Sequence, residues 1–157
     1  MENVEVRMSG IHNNGGFAAR DISKGELVIE YTGEIISKEE GNRRCKLIIE
    51  EAKKNRASPV TYIVELEKFD IDGKVNHNTA RYINHSCNPN CKLQITADKA
   101  LIVAIKDIKK GDELSYNYQF DMEEFELFPC NCGAENCVKF MIDEKYWDML
   151  MVQELHS

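Results

Sequence analysis

The chain alternates short apolar runs of strand length with polar turns. Val4, Val6 and Met8 alternate with Glu5 and Arg7, which predicts a strand with one apolar face. Glu26–Tyr31, Thr61–Leu66 and Ala100–Ile105 are runs rich in β-branched and aromatic residues, each bounded by glycine or charged turn residues. One helix interrupts them. Ser37 is its predicted N-cap, and Glu40, three residues on, would complete a capping box. It runs to about Asn55, because Pro59 disfavours helical geometry at Ser58 before it. A second helix starts near Asp143, with Tyr146, Trp147, Leu150 and Met151 at helical spacing. In His12-Asn13-Asn14-Gly15-Gly16-Phe17, residues that tolerate positive φ mark a turn between strands. No helix-opening GxGxxG and no phosphate loop is present. The pattern is that of a mainly β (β+α) chain without repeats.

Composition narrows the class. A chain of 157 residues with 43% apolar content suffices for one compact core. With no secretory pattern at either end and no apolar run near the roughly 18 to 20 residues of a membrane span, a soluble intracellular protein is expected. The formal charge of −7 argues against direct nucleic-acid binding, which needs clustered Lys and Arg, and suits a basic partner better.

Six cysteines without a secretory signal read as metal ligands or free thiols rather than a disulfide framework. Cys130, Cys132 and Cys137 share one loop-like segment beside Gly133, where closely spaced thiolates can converge on a tetrahedral zinc at about 2.3 Å. A fourth ligand must come from elsewhere, and Cys87 and Cys91 are the candidates. Cys45 lies in a helical pattern and is expected to act as a small apolar residue.

The order of motifs resembles the SET-domain protein lysine methyltransferases over nearly the whole chain. Ser9-x-Ile11-His12-Asn13-Asn14-Gly15-Gly16-Phe17-Ala18 is similar to the family's opening turn, with Asn13 in place of a common glycine. Gly25-Glu26 and Ile29-Glu30-Tyr31-Thr32-Gly33-Glu34 follow, then Tyr62, Asp72, Asn84-His85-Ser86-Cys87, Gly111-Asp112-Glu113-Leu114 and Tyr116-x-Tyr118. Cys130-Asn131-Cys132-Gly133-x3-Cys137, after a short spacer, resembles the post-SET segment of trithorax and mixed-lineage-leukaemia type enzymes.

The resemblance implies a SET-domain fold of small curved sheets, with pseudoknot-like threading around residues 84–87. It divides the chain into a SET domain over residues 1–120, with a helical insert at about 37–58, and a post-SET zinc segment and C-terminal helix over 121–157. The implied cofactor is S-adenosyl-L-methionine, with His12, Asn14, Gly15, Tyr62, Asn84, His85 and Asn131 as its binding residues. The implied metal is zinc, held by Cys87, Cys130, Cys132 and Cys137, which leaves Cys91 structural.

The implied activity is transfer of the sulfonium methyl to a neutral lysine amine, which needs alignment, a water-poor channel and loss of the lysine proton. Tyr118, Tyr116 and Tyr62 are the implied catalytic residues. A tyrosine at 116 can hold a water where a methylated amine would otherwise sit, so monomethylation is expected. The expected partner is a basic protein tail laid along a sheet edge, with histone tails the leading class; some similar enzymes also depend on activating partner proteins. Asp121, Glu123, Glu124 and Glu126 read first as a solvated acidic loop and second as an attractor for such a tail. The expected location is nuclear in a eukaryote and cytoplasmic otherwise. The competing class is a noncatalytic zinc-stabilised SET-like binding module.

Overall fold

The computed structural model describes residues 3–11 and 13–154. Among the described residues, ten short strands form four small sheets rather than one large one. Strand β1 (Val4–Met8) pairs antiparallel with β2 (Asn14–Ala18). Strand β3 (Leu27–Tyr31), β4 (Glu34–Ile36) and helix α1 (Lys38–Asn55) follow, then β5 (Ile63–Glu65) and β6 (Asp70–Asp72). The chain continues through β7 (Asn84–His85), β8 (Cys91–Ile95), β9 (Ala100–Ala104) and β10 (Ser115–Tyr116), and ends in α2 (Trp147–Glu154). The remaining sheets have the orders β3-β9-β8, β4-β6-β5 and β7-β10.

The core lies against β9. Ala100, Ile102 and Ala104 alternate buried with half-buried neighbours, as period-two patterning requires. Ile22, Ile83, Ile108 and Leu114 are almost fully buried around them, and the Ile22–Ile108 bridge ties the turns together below the sheet. β1 departs from its expected alternation: Val4 is buried, but Val6 and Met8 are 40% and 80% exposed. Paired with β2 alone, the ribbon leaves the core beyond Val4, and Arg7 packs its guanidinium over Phe17 instead.

α1 begins and ends where expected. The Ser37 hydroxyl accepts the Glu40 N–H at 3.2 Å, and Arg56 takes a left-handed conformation with φ 51° at the C-cap. Only half of the capping box forms, because the Glu40 carboxylate is engaged by Arg43 and Arg44, each at 2.7 Å. These guanidiniums hold the Glu40 carboxyl down at about 2. The helix buries little more than Gly41 and Ala52, and Leu47 stays exposed. Charge fastens it to the β4-β6-β5 sheet. Lys38 pairs with the buried Asp70 at 2.6 Å, and Arg44 pairs with Asp72 at 2.6 Å and Glu34 at 2.7 Å. Among the described residues no helix is long and apolar enough to cross a membrane.

Gly41 is required by close approach, since a Cβ there would overlap Asp70 Oδ2. Alanine would gain up to about 1 kcal/mol of helix propensity. It would also force apart the Lys38–Asp70 contact, at an overpacking cost of about 1–3 kcal/mol. Gly41→Ala is therefore expected to be net destabilising in urea denaturation; a gain in stability would mean the helix shifts freely on its sheet.

Candidate active site and metal centre

β7 and β10 lie side by side in parallel, Asn84 opposite Ser115 and His85 opposite Tyr116. Asn90 fastens this pair: its Nδ2 donates to the Glu113 carbonyl at 2.8 Å and its Oδ1 accepts the Ser115 N–H at 2.9 Å. Beyond β10 the chain turns so that the Tyr118 N–H donates to His85 Nδ1 at 3.1 Å. The Tyr118 hydroxyl donates to the Ile83 carbonyl at 3.0 Å. The Tyr118 ring meets His85 edge-on at 5.4 Å and leans on Tyr116 at 5.0 Å. Tyr118 is thus fixed at its backbone, ring and hydroxyl.

Burial, reinforced by the nearby Tyr62, raises the Tyr118 pKa well above the ordinary phenol value. Tyr116 is 7% exposed and is raised too, first by burial. Both phenols remain neutral through the physiological range. Tyr62 lies just before β5, where its carbonyl accepts the Tyr31 hydroxyl at 2.9 Å and the Gly73 N–H at 2.8 Å.

The opening turn is tied to the same centre. Asn13 has φ 41°, the left-handed conformation for which asparagine best replaces glycine. Asn84 Nδ2 donates to the Asn14 carbonyl at 3.3 Å and to Glu113 Oε1 at 3.0 Å; the same carboxylate accepts the Ser9 hydroxyl at 2.5 Å. A side chain at Gly15 would collide with this Glu113 carboxylate, so the glycine gives Glu113 its seat. His12 lies outside the described residues. Asn131 is exposed between Cys130 and Cys132.

The sulfurs of Cys87, Cys130, Cys132 and Cys137 all lie within 4.8 Å of one another. A tetrahedron with zinc–sulfur bonds of about 2.3 Å has edges of about 3.8 Å. Cys87 stands 3.8 Å from Cys130 and 3.9 Å from Cys137, so the cluster has the size and donor chemistry for zinc. The Cys87 N–H points to the Cys132 sulfur at 3.4 Å, and Asn136 Nδ2 donates to the Cys87 carbonyl at 2.9 Å. The Cys130 hydrogen bond, aided by His85, pulls the Cys87 thiol far down, while contact with Cys87 and burial push Cys130 up. A divalent cation would let all four ionise together. Cys91 stands apart: wholly buried, its thiol is pushed up to about 12 by burial, as suits a packing residue.

The segment carrying three of these cysteines is pinned to the body by aromatic contacts. Phe120 meets Tyr118 at 5.7 Å and Phe128 at 4.5 Å, and Phe120 and Pro129 bridge to Ile142 and Phe140. The acidic loop is partly committed, because Glu124 pairs with Lys53 of α1 and Asp121 accepts the Glu123 N–H. Between α1 and this loop lies a cleft of about 380 Å³ whose walls include Arg56, Glu126 and Leu127.

The structure therefore joins Tyr116, Tyr118, Asn84, His85 and the four cysteines in one neighbourhood, with Tyr62 beside it. Sequence reasoning gave no role to Glu113, Asn90 or Asn136. Glu113 lies in the Gly111-Asp112-Glu113-Leu114 motif, but nothing local marks a carboxylate as an anchor for a turn about a hundred residues away in sequence.

A family model described as "SET domain" matches residues 13–119, and this chain belongs to the SET-domain family. It is 42% identical over 88% of its length to "Histone-lysine N-methyltransferase 2D" of Homo sapiens, covering 2% of that protein. It is 42% identical over 88% to "Histone-lysine N-methyltransferase trr" of Drosophila melanogaster, covering 6% of it. Against "Histone-lysine N-methyltransferase 2B" of Homo sapiens it is 36% identical over 89%, covering 5%. The chain thus spans a small fraction of these relatives. Among solved structures, a chain of "ctPRC2 in an autoinhibited conformation bound to S-adenosylmethionine" aligns with TM-score 0.60 and 36% identity over 74% of this chain and 15% of that one.

Purified protein is expected to carry one zinc per chain by elemental analysis, and Cys132→Ser to weaken zinc affinity by more than about 100-fold. Unchanged zinc content in that variant would refute a site built of all four thiolates.

Proposed function

We propose that this chain is an S-adenosylmethionine-dependent protein lysine N-methyltransferase that acts on a basic protein tail, with a histone tail as the leading class. The observation that carries the reading is the three-point fixation of the neutral, buried Tyr118 beside Tyr116 and His85, whose ring reaches the four-cysteine cluster. Membership in a family whose relatives are named histone-lysine methyltransferases supports it. We divide the chain into a SET domain over residues 1–120, with the helical insert at about 37–58, and a post-SET zinc segment and C-terminal helix over 121–157.

When bound, S-adenosylmethionine supplies an electrophilic methyl on a sulfonium centre. The site suits such a cation: the Ile83 carbonyl and the phenol oxygens are uncharged acceptors in a water-poor place. His12, Asn14, Gly15, Tyr62 and Asn131 would hold the cofactor, together with the strand formed by Asn84 and His85. Those last two side chains hydrogen-bond within the protein, so their backbone is what the strand offers.

Tyr118 positions the acceptor nitrogen. No general base is needed there, and the His85 ring, with both nitrogens engaged, is not placed to be one. An unperturbed lysine amine has a pKa near about 10.4 and becomes more nucleophilic as it sheds its proton. β5 is an edge strand of its sheet and follows directly on Tyr62, so a tail added there in extended form would run past the site. Tyr116 limits the product to monomethyl-lysine in this reading. Partner proteins would act by steadying the insert, and a nuclear location follows from a histone substrate.

Labelled cofactor incubated with core histones and a basic protein mixture is expected to yield methylated lysine mapped by mass spectrometry. Cofactor binding without transfer would favour the noncatalytic module. Tyr118→Phe is expected to lower kcat about 100-fold or more with cofactor binding retained. Tyr116→Phe is expected to move the products toward di- and trimethyl-lysine; an unchanged distribution would sink the product-control role. The rate should climb from pH 7 toward 9, because the acceptor amine deprotonates over that range while the raised phenols keep their protons.

A further inference from the structure

The two ring nitrogens of His85 face two different parts of the molecule. The side chain is enclosed, the residue being 3% exposed. Nδ1 receives the Tyr118 backbone N–H at 3.1 Å, and Nε2 lies 3.6 Å from Cys87 Sγ. A ring nitrogen that accepts a backbone N–H carries no hydrogen of its own, so the ring hydrogen sits on Nε2, directed at the sulfur. Cys87 belongs to the four-thiol cluster, and a metal-bound thiolate is an acceptor for that N–H. One rigid ring therefore spans the distance between a metal ligand and the main chain of Tyr118.

We infer that His85 is a positioning residue which couples the metal centre to Tyr118, so that occupancy of the cysteine cluster sets where the Tyr118 ring and hydroxyl stand. A histidine kept for bulk alone would need neither nitrogen. Here one holds Tyr118 and the other reports the place of Cys87. The Tyr118 hydroxyl, on the Ile83 carbonyl one residue before β7, closes the same loop from the other side.

This rests on the proposed methyl transfer for its kinetic arm only. In the zinc-loaded full chain with isotope-labelled histidine, the resonances of His85, assigned through its backbone, are expected to show hydrogen on Nε2 and a bare Nδ1. Hydrogen on Nδ1 would overturn the inference. With NMR-active cadmium in place of zinc, the Nε2 hydrogen is expected to show scalar coupling to the metal through the Cys87 sulfur. Absence of that coupling would detach the metal from the relay.

Kinetically, His85→Leu strands the Tyr118 N–H and should lower kcat roughly 10- to 100-fold. Zinc content should hold, and KM for the cofactor should stay within roughly threefold. His85→Asn, whose amide oxygen falls near the Nδ1 position, should restore most of the loss, and His85→Gln, which places its amide near Nε2, should not. Equal losses in the Leu and Asn variants, or a loss confined to cofactor KM, would overturn the positioning role. If the variants fail to fold, the tautomer and the cadmium coupling still decide the question. If the chain transfers no methyl group, the proposed function falls and those two readouts stand independently.

Discussion

The short parallel contact between β7 and β10 is the constraint on which the rest depends. It involves two residues on each strand, yet it brings Asn84 and His85 against Ser115 and Tyr116 from far along the chain. So small a ladder cannot hold by its own hydrogen bonds. It persists because Ile83 and Leu114, immediately before each strand, are buried in the core, and because Asn90 satisfies the polar groups that would otherwise be stranded. Everything chemical is then placed by continuation. Cys87 follows β7 toward the thiol cluster, and Tyr118 follows β10 back onto Ile83 and His85.

The neighbourhood so formed separates two kinds of electrostatics. Around Tyr118 there are phenols, carbonyls and the His85 ring, whose acceptors suit a cation without presenting a full negative charge to it. A few ångströms away the four thiols crowd so closely that their ionisation is mutually opposed until a metal shares the charge. His85 stands between the two regions, and the aromatic series from Tyr118 through Phe120 to Phe128 runs beside it. The segment that carries Cys130, Cys132 and Cys137 is thus attached to the body by apolar rings as well as by its proposed metal, which makes it part of the proposed site's wall.

What could be read from the sequence was what local chemistry determines. Ser37, Pro59 and the charged turns around β9 mark α1 and the central strand without reference to the rest of the chain. The triplet from Cys130 to Cys137 reveals itself by spacing, whereas the choice of Cys87 over Cys91 needed the family resemblance and is matched by the sulfur positions. Strands as short as β6 and β7 left no periodic signal, since two or three residues cannot display an alternation. The alternation of Val4, Val6 and Met8 marked β1 correctly, whereas which of those side chains the core covers depends on packing far from the strand. The tasks of Glu113, Asn90 and Asn136 could not be seen in advance, because each joins residues distant in sequence through one side chain.

The docking of α1 carries a consequence of its own. Sheets stacked through apolar faces are indifferent to dissolved ions, but a helix seated by Lys38 and Arg44 on acidic partners, most of them partly open to solvent, is subject to screening. Its Lys53–Glu124 link to the acidic loop is likewise open to solvent. The insert is therefore the portion of the molecule that ionic strength or a highly charged neighbour can loosen while the sheets beneath remain intact. A strongly basic polypeptide approaching this face would compete for the same carboxylates that seat the helix, and so would meet a surface that adjusts to its charge.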